Sequence, residues 1–185
     1  MRGQTPSQTV GPFFGGALIR GGDNILVKEE TGGERILIKG RVLDGDGEPV
    51  RDALVEIWQA DGQGFFNHGA DPNQAQADPH FGGFGRADTV KDGGFAFKTI
   101  KPGRVPGQAT PWINVRVFAR GMLIHAVTRL YFNDEKGNEE DAVLASVAQN
   151  RRHTLIARWE DTADLPTYRF DIRLQGENET VFFNP

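Results

Sequence analysis

The chain has 185 residues, 21 Lys or Arg against 25 Asp or Glu, a net charge of −4 and no cysteine. Disulfides and thiolate metal sites are therefore excluded, and an acidic balance without any basic run speaks against nucleic-acid binding. No apolar stretch approaches the ~18 residues of a membrane span. The opening MRGQTPSQTV lacks the apolar core of a secretion signal, so a soluble, cytoplasmic protein is expected.

Twenty-four glycines and ten prolines break the apolar runs into short pieces, which favours many short strands over long helices. Residues 1–34 have no clear period and read as an extended arm. Phe13 and Phe14 predict that the arm docks, because a free tail would leave both rings in water. RILIKGRVL (35–43) alternates as a strand and runs into the turn DGDGEP. DALVEIWQA (52–60) alternates again, and Gly62, Gly64 and Gly69 open a long loop to about residue 85. GGFAFKTI (93–100) is a strand ended by KPG. WINVRVFAR (112–120) and LIHAVTRLYF (123–132) form a predicted hairpin about Gly121-Met122. Residues 139–150 have helical spacing with acids at the start, and HTLIARWE (153–160) and TYRFDIRLQG (167–176) read as two last strands. Seven or more strands, one short helix and long loops predict an all-β protein. The expected fold is a two-sheet β-sandwich in one domain, 1–185, with the arm at 1–34 and the sandwich at 35–185.

Few residues suggest chemistry by themselves. On the strand 112–120, Ile113, Val115 and Val117 point one way and Asn114 and Arg116 the other. A His-x-His pair at alternate positions could converge on a metal, and Val-x-Val cannot, since it has no lone pair. His68, His80, His125 and His153 form no His-x-His or HExxH unit. His68 and His80 share the long loop with Asp61, Asp71 and Asp78, which reads as an ordinary solvated loop. Tyr131 and Tyr168 are expected half-buried in strands with bonded hydroxyls. Arg120 closes a strand before Gly121, where it stands either at a sheet rim facing a ligand or simply in solvent.

Motifs along nearly the whole chain carry a further reading. They are TPSQTVGPFF near the start, GRVLDGDGEPVRDALVEIWQADGQG, FGGFGR (81–86), TIKPGRVPG (99–107), FARG (118–121), TRLYF (128–132) and YRFDIRLQGENETVFF (168–183). Together they make the chain similar to the intradiol ring-cleavage dioxygenases, and within them to the α-type chains of the two-chain enzymes. The resemblance implies a heteromer of related α and β chains in which non-haem Fe(III), held by two tyrosines and two histidines of the β chain, opens a catechol with O₂. It implies that this chain lacks the ligands: Phe66 and Val105 stand at the tyrosine positions, and Val115 and Val117 at the histidine positions. An arginine carried before His-x-His in the catalytic pattern is also absent. The resemblance further implies that Thr9, Gly11, Pro12, Phe13 and Arg120 line the substrate opening near the partner's iron, with Phe13 replacing a frequent tyrosine. The expected partners are a dioxygenase β chain, a catechol carboxylate with O₂, and further αβ units. A chain for another anionic catechol, such as a sulfonated one, remains open, as does a stand-alone transthyretin-like module.

Overall fold

The computed structural model describes residue 11, residues 14–162 and residues 164–184. Nine strands form it: β1 Arg35–Leu43, β2 Leu54–Trp58, β3 Phe84–Asp88, β4 Gly94–Ile100, β5 Trp112–Phe118, β6 Ala126–Phe132, β7 Ile156–Glu160, β8 Thr167–Arg169 and β9 Ile172–Arg173. Their ladder runs β3-β2-β5-β6-β7-β8-β1-β4, with β9 added beside β1. β6 and β7 run parallel, as do β8 and β9 with β1, and the other pairs are antiparallel. The ladder curls so that its two halves face one another. One half supplies Val55, Ile57, Ile113, Val115, Val117 and Leu130 to the core, and the other supplies Ile36, Ile38, Val42, Phe97, Ile100 and Ile172. Alternating apolar residues in β1, β4 and β5 make this possible, since every second side chain points inward.

Four expectations are refined. β3 was expected as loop up to residue 85. Its inward residues are Gly85 and Ala87, so no large apolar side chain marks it. A Cβ on Gly85 would lie 2.5 Å from Leu26 Cδ1, so glycine leaves the space that Leu26 fills. Residues 24–26 are thus docked: Leu26 is buried, its N–H donates to Lys98 O at 2.9 Å, and Lys98 N–H donates to Asn24 O at 2.9 Å, while the rings of Phe13 and Phe14, on which docking is expected, lie outside the described side chains. A five-residue helix, α1 (Phe14–Leu18), precedes them. The strand expected over 167–176 is broken into β8 and β9. Phe170 O comes so close to β1 that a Cβ on Gly40 would lie 1.8 Å from it, and Asp171 Oδ1 takes the Arg41 N–H at 3.0 Å.

The helix expected over 139–150 shrinks to α2 (Ala142–Ser146) between two 3₁₀ turns, Lys136–Glu140 and Gln149–Leu155. Asp141 caps it, accepting the Leu144 N–H at 2.8 Å. Its end is taken by Arg152, which donates to Ala145 O at 2.8 Å and Val147 O at 2.9 Å and so occupies carbonyls that a longer helix would use. Among the described residues no helix is long and apolar enough to cross a membrane.

Candidate functional site

The loop after β2 is organised by one carboxylate. Asp61 is buried, and its Oδ1 accepts the N–H groups of Gln63 at 2.8 Å and Phe65 at 3.0 Å, while Oδ2 accepts that of Asp78 at 2.7 Å. Its carbonyl takes the N–H of Gly103 at 2.8 Å, tying the loop to the KPG segment. Gly64 lies against this segment with φ +93°, and a Cβ there would stand 2.0 Å from Arg104 O. Only glycine fits both the left-handed backbone and the close approach. These contacts bring the Phe66 loop beside the chain leading to Val105. The loop expected to be merely solvated is therefore an ordered one in which Asp61 and Asp78 bond backbone. Asp78 Oδ2 accepts the Gly32 N–H at 2.9 Å and Oδ1 the His80 N–H at 2.8 Å.

Phe66 stacks on Trp58, with centroids 5.7 Å apart, and lies 6.4 Å from Trp112. His68 meets the Trp58 ring edge-on at 5.9 Å, and the Arg129 guanidinium sits 4.2 Å above Trp112. The Trp112 Nε1–H is buried without a hydrogen-bond partner among the described residues. Trp58 pairs with Asn114 and Glu56 with Arg116 across the β2–β5 ladder, so these four share a face with the aromatic cluster. A cavity of about 440 Å³ opens on that face, lined by Glu56, Trp58, His68, Phe84, Asn114 and Arg116. Its Glu56 is engaged by Arg86 at 2.7 Å, and His68 Nδ1 accepts the Ala70 N–H at 3.2 Å.

Val115 and Val117 point the other way, fully buried in the core. The structure thus brings Phe66 and the Val105 segment together and leaves both valines on the opposite face of β5. The four positions do not converge on one point. Arg120 is elsewhere again. It lies eight residues beyond Trp112, about 26 Å along an extended chain, at the tip where β5 turns toward β6. There it is exposed and ion-paired with Asp52. Leu123 and Ile124, exposed by 67% and 60%, extend the same tip. Gly11 is exposed, and Thr9, Pro12 and Phe13 lie outside the described residues.

The tyrosines are buried rather than half-buried, and both hydroxyls donate to carboxylates. Tyr131 bonds Asp141 Oδ1 at 3.0 Å and Tyr168 bonds Asp134 Oδ2 at 2.8 Å. Burial above all pushes both phenols up to about 12, the neighbouring carboxylate adding to the shift. Lys101 reaches Asp134 at 2.8 Å and Glu135 at 2.7 Å. Burial alone would lower the lysine and raise Asp134. The hydrogen bonds outweigh it, so the ammonium is raised above its usual range and the carboxylate held below its own. Sequence reading missed Asp61, Asp141 and Trp112 as organising residues. The one available signal was Asp-Gly-x-Gly after WQA, which favours a side-chain-bonded turn.

A family model described as dioxygenase matches residues 10–176. The chain belongs to the intradiol dioxygenase family. This dioxygenase chain is 43% identical to the protocatechuate 3,4-dioxygenase alpha chain of Burkholderia cepacia over 194 residues, covering 98% of this chain and 97% of that one. It is 37% identical to the beta chain from the same organism over 167 residues, covering 85% of this chain and 71% of that one. Among solved structures it resembles the dioxygenase domain of a dioxygenase–carbohydrate-binding fusion from Streptomyces sp. SirexAA-E, with a TM-score of 0.66, 27% identity and coverage of 93% and 98%.

The family's members are non-haem iron enzymes. The four positions at which the resemblance implies ligands do not build a ferric site: phenyl and isopropyl groups at 66, 105, 115 and 117 offer no electron pair, and two of the four are sealed in the core. Among the described residues no three His, Cys, Asp or Glu side chains stand close enough to hold a metal together.

Proposed function

We propose that this chain is the α subunit of a two-chain protocatechuate 3,4-dioxygenase, in which a β chain holds the Fe(III) and cleaves a catechol carboxylate with O₂. The α subunit completes the pocket at the partner's iron through Thr9, Gly11, Pro12, Phe13 and Arg120. The observation that carries this reading is the near-full-length likeness to an alpha chain, 43% identical over 98% of this chain. The placement of Arg120 supports it. This guanidinium lies far from the Phe66 cluster of its own chain and is exposed at a tip, where it can serve another chain's substrate.

Purification alone and after co-expression with a dioxygenase β chain tests the proposal. The chain by itself should carry no stoichiometric iron and consume no O₂ with protocatechuate, and the co-purified pair should do both. Iron-dependent turnover by the lone chain, or a monomer that ignores every β chain offered, would overturn it. Comparing protocatechuate with a sulfonated catechol on the reconstituted pair decides which anion is preferred.

A further inference from the structure

Far from the Phe66 cluster, cations are crowded into one cross-strand row. Arg158 on β7 stands directly opposite Arg169 on β8, which stands beside Lys39 on β1. Like charges in directly opposed positions repel, and strands ordinarily avoid them. Arg173 on β9 lies on the same side and lines the same cleft as Arg158 and Arg169. Two carboxylates answer part of this charge. Glu160 pairs with Lys39 at 2.8 Å, and Asp171 pairs with Arg169 at 3.0 Å while also accepting the Arg41 N–H. Neither Arg158 nor Arg173 has a carboxylate within ion-pair distance among the described residues. In a chain of net charge −4 this is a cationic centre that its carboxylates compensate only in part.

The cleft holds about 280 Å³. Leu43, Ile156 and Phe170 give it an apolar part of the lining. Arg158, Arg169 and Arg173 line it too, with His153, Asn178 and Asp171, the carboxylate already paired with Arg169. A cavity of this size takes a small molecule and is too narrow for a helix of about 10 Å diameter. Three guanidinium groups together with an apolar lining match an organic ion with more than one carboxylate, which guanidinium forks bind in bidentate fashion. Inorganic phosphate would satisfy the charge and leave the apolar lining unmatched.

We propose that the cleft between β7, β8 and β9 binds a compact organic polycarboxylate, held by Arg158, Arg169 and Arg173. Opening a catechol carboxylate between its two oxygenated carbons yields an anion of this class, so the enzyme's own product is a candidate occupant; this last clause alone rests on the function proposed above.

Calorimetric titration with propane-1,2,3-tricarboxylate tests the site at fixed ionic strength, on the purified chain and on its complex with the β chain. Both should bind one equivalent per chain. Arg158→Gln and Arg173→Gln should each weaken binding about ten-fold, the loss of one charge-assisted contact, with a melting temperature unchanged or slightly raised for Arg158→Gln, because among the described residues that side chain makes no ion pair and its removal relieves the repulsion with Arg169. Phosphate should bind more weakly than the tricarboxylate. The site is refuted by absent saturable binding, by equal affinity in Arg158→Gln, or by phosphate binding where the tricarboxylate does not. Binding that vanishes in the complex also refutes it, since the cleft would then belong to a protein partner. None of these readouts depends on turnover, and those on the purified chain stand or fall apart from the dioxygenase reading.

Discussion

Phe66 stacks on Trp58 with planes only 14° apart, and this contact places it on the face of the β2–β5 ladder that Val115 does not share. Ile57, the cross-strand partner of Val115, is buried with it in the core. Restoring donors by name will therefore not restore a metal centre. Val115→His and Val117→His each put an imidazole among the apolar side chains of the core and should cost about 2–4 kcal/mol. Urea unfolding checks this, and elemental analysis of Phe66→Tyr combined with Val115→His should find no bound iron. Stoichiometric iron in that double variant would show that the two faces communicate after all.

The loop carrying Phe66 depends on Asp61. Asp61→Ala removes the acceptor for three backbone N–H groups, those of Gln63, Phe65 and Asp78. Such bonds to a charged group are worth about 1.5–3 kcal/mol each, though water can replace part of the loss. A net loss of about 3 kcal/mol is expected, with faster hydrogen exchange at residues 63–66. Exchange confined to other regions would contradict this account.

The chain has two tyrosines, and both phenols are held up to about 12. A folded-state value above the ordinary 10 means that the native state keeps a proton the unfolded state has lost. The resulting stabilisation is complete below pH 10 and disappears as pH rises through 12. Lys101, also raised, acts in the same direction. Asp134 is lowered, so its contribution is present above its ordinary value of 3.8 and is lost only as the solution becomes more acid than that. Native protein at pH 10.5 should therefore show almost no phenolate absorbance, and stability should fall steeply between pH 10 and 12. Replacing both tyrosines with phenylalanine should flatten that alkaline slope.

Arg120 pairs with Asp52 at an exposed tip, and such pairs add little to stability. Arg120→Ala should leave the unfolding midpoint nearly unchanged. In the αβ enzyme it should raise KM for protocatechuate about ten-fold, the worth of one charge-assisted bond, and leave KM for unsubstituted catechol within about two-fold. Equal effects on both substrates would remove Arg120 from substrate orientation. Asp52→Asn should not reproduce the loss, because it leaves the guanidinium in place.

Local pattern carried most of the architecture. Alternation in RILIKGRVL, GGFAFKTI and WINVRVF marks β1, β4 and β5 because every second side chain must leave water, whatever the rest of the chain does. That Phe66, Val105, Val115 and Val117 carry no electron pair is equally legible, but which of them share a site is not, since Val115 and Val117 face the core. β3 was not, because Gly85 and Ala87 face inward and the volume they leave is filled by Leu26 from a distant segment. Nor could spacing show that Asp171 would take an amide from β1 and split the last strand, or that Arg152 would end α2. The sequence alone settled the chemical nature of each side chain and the alternation that marks the clearest strands. Only the tertiary structure decided which of them share a face, because register and curl join residues whose separation along the chain carries no information about their distance in space.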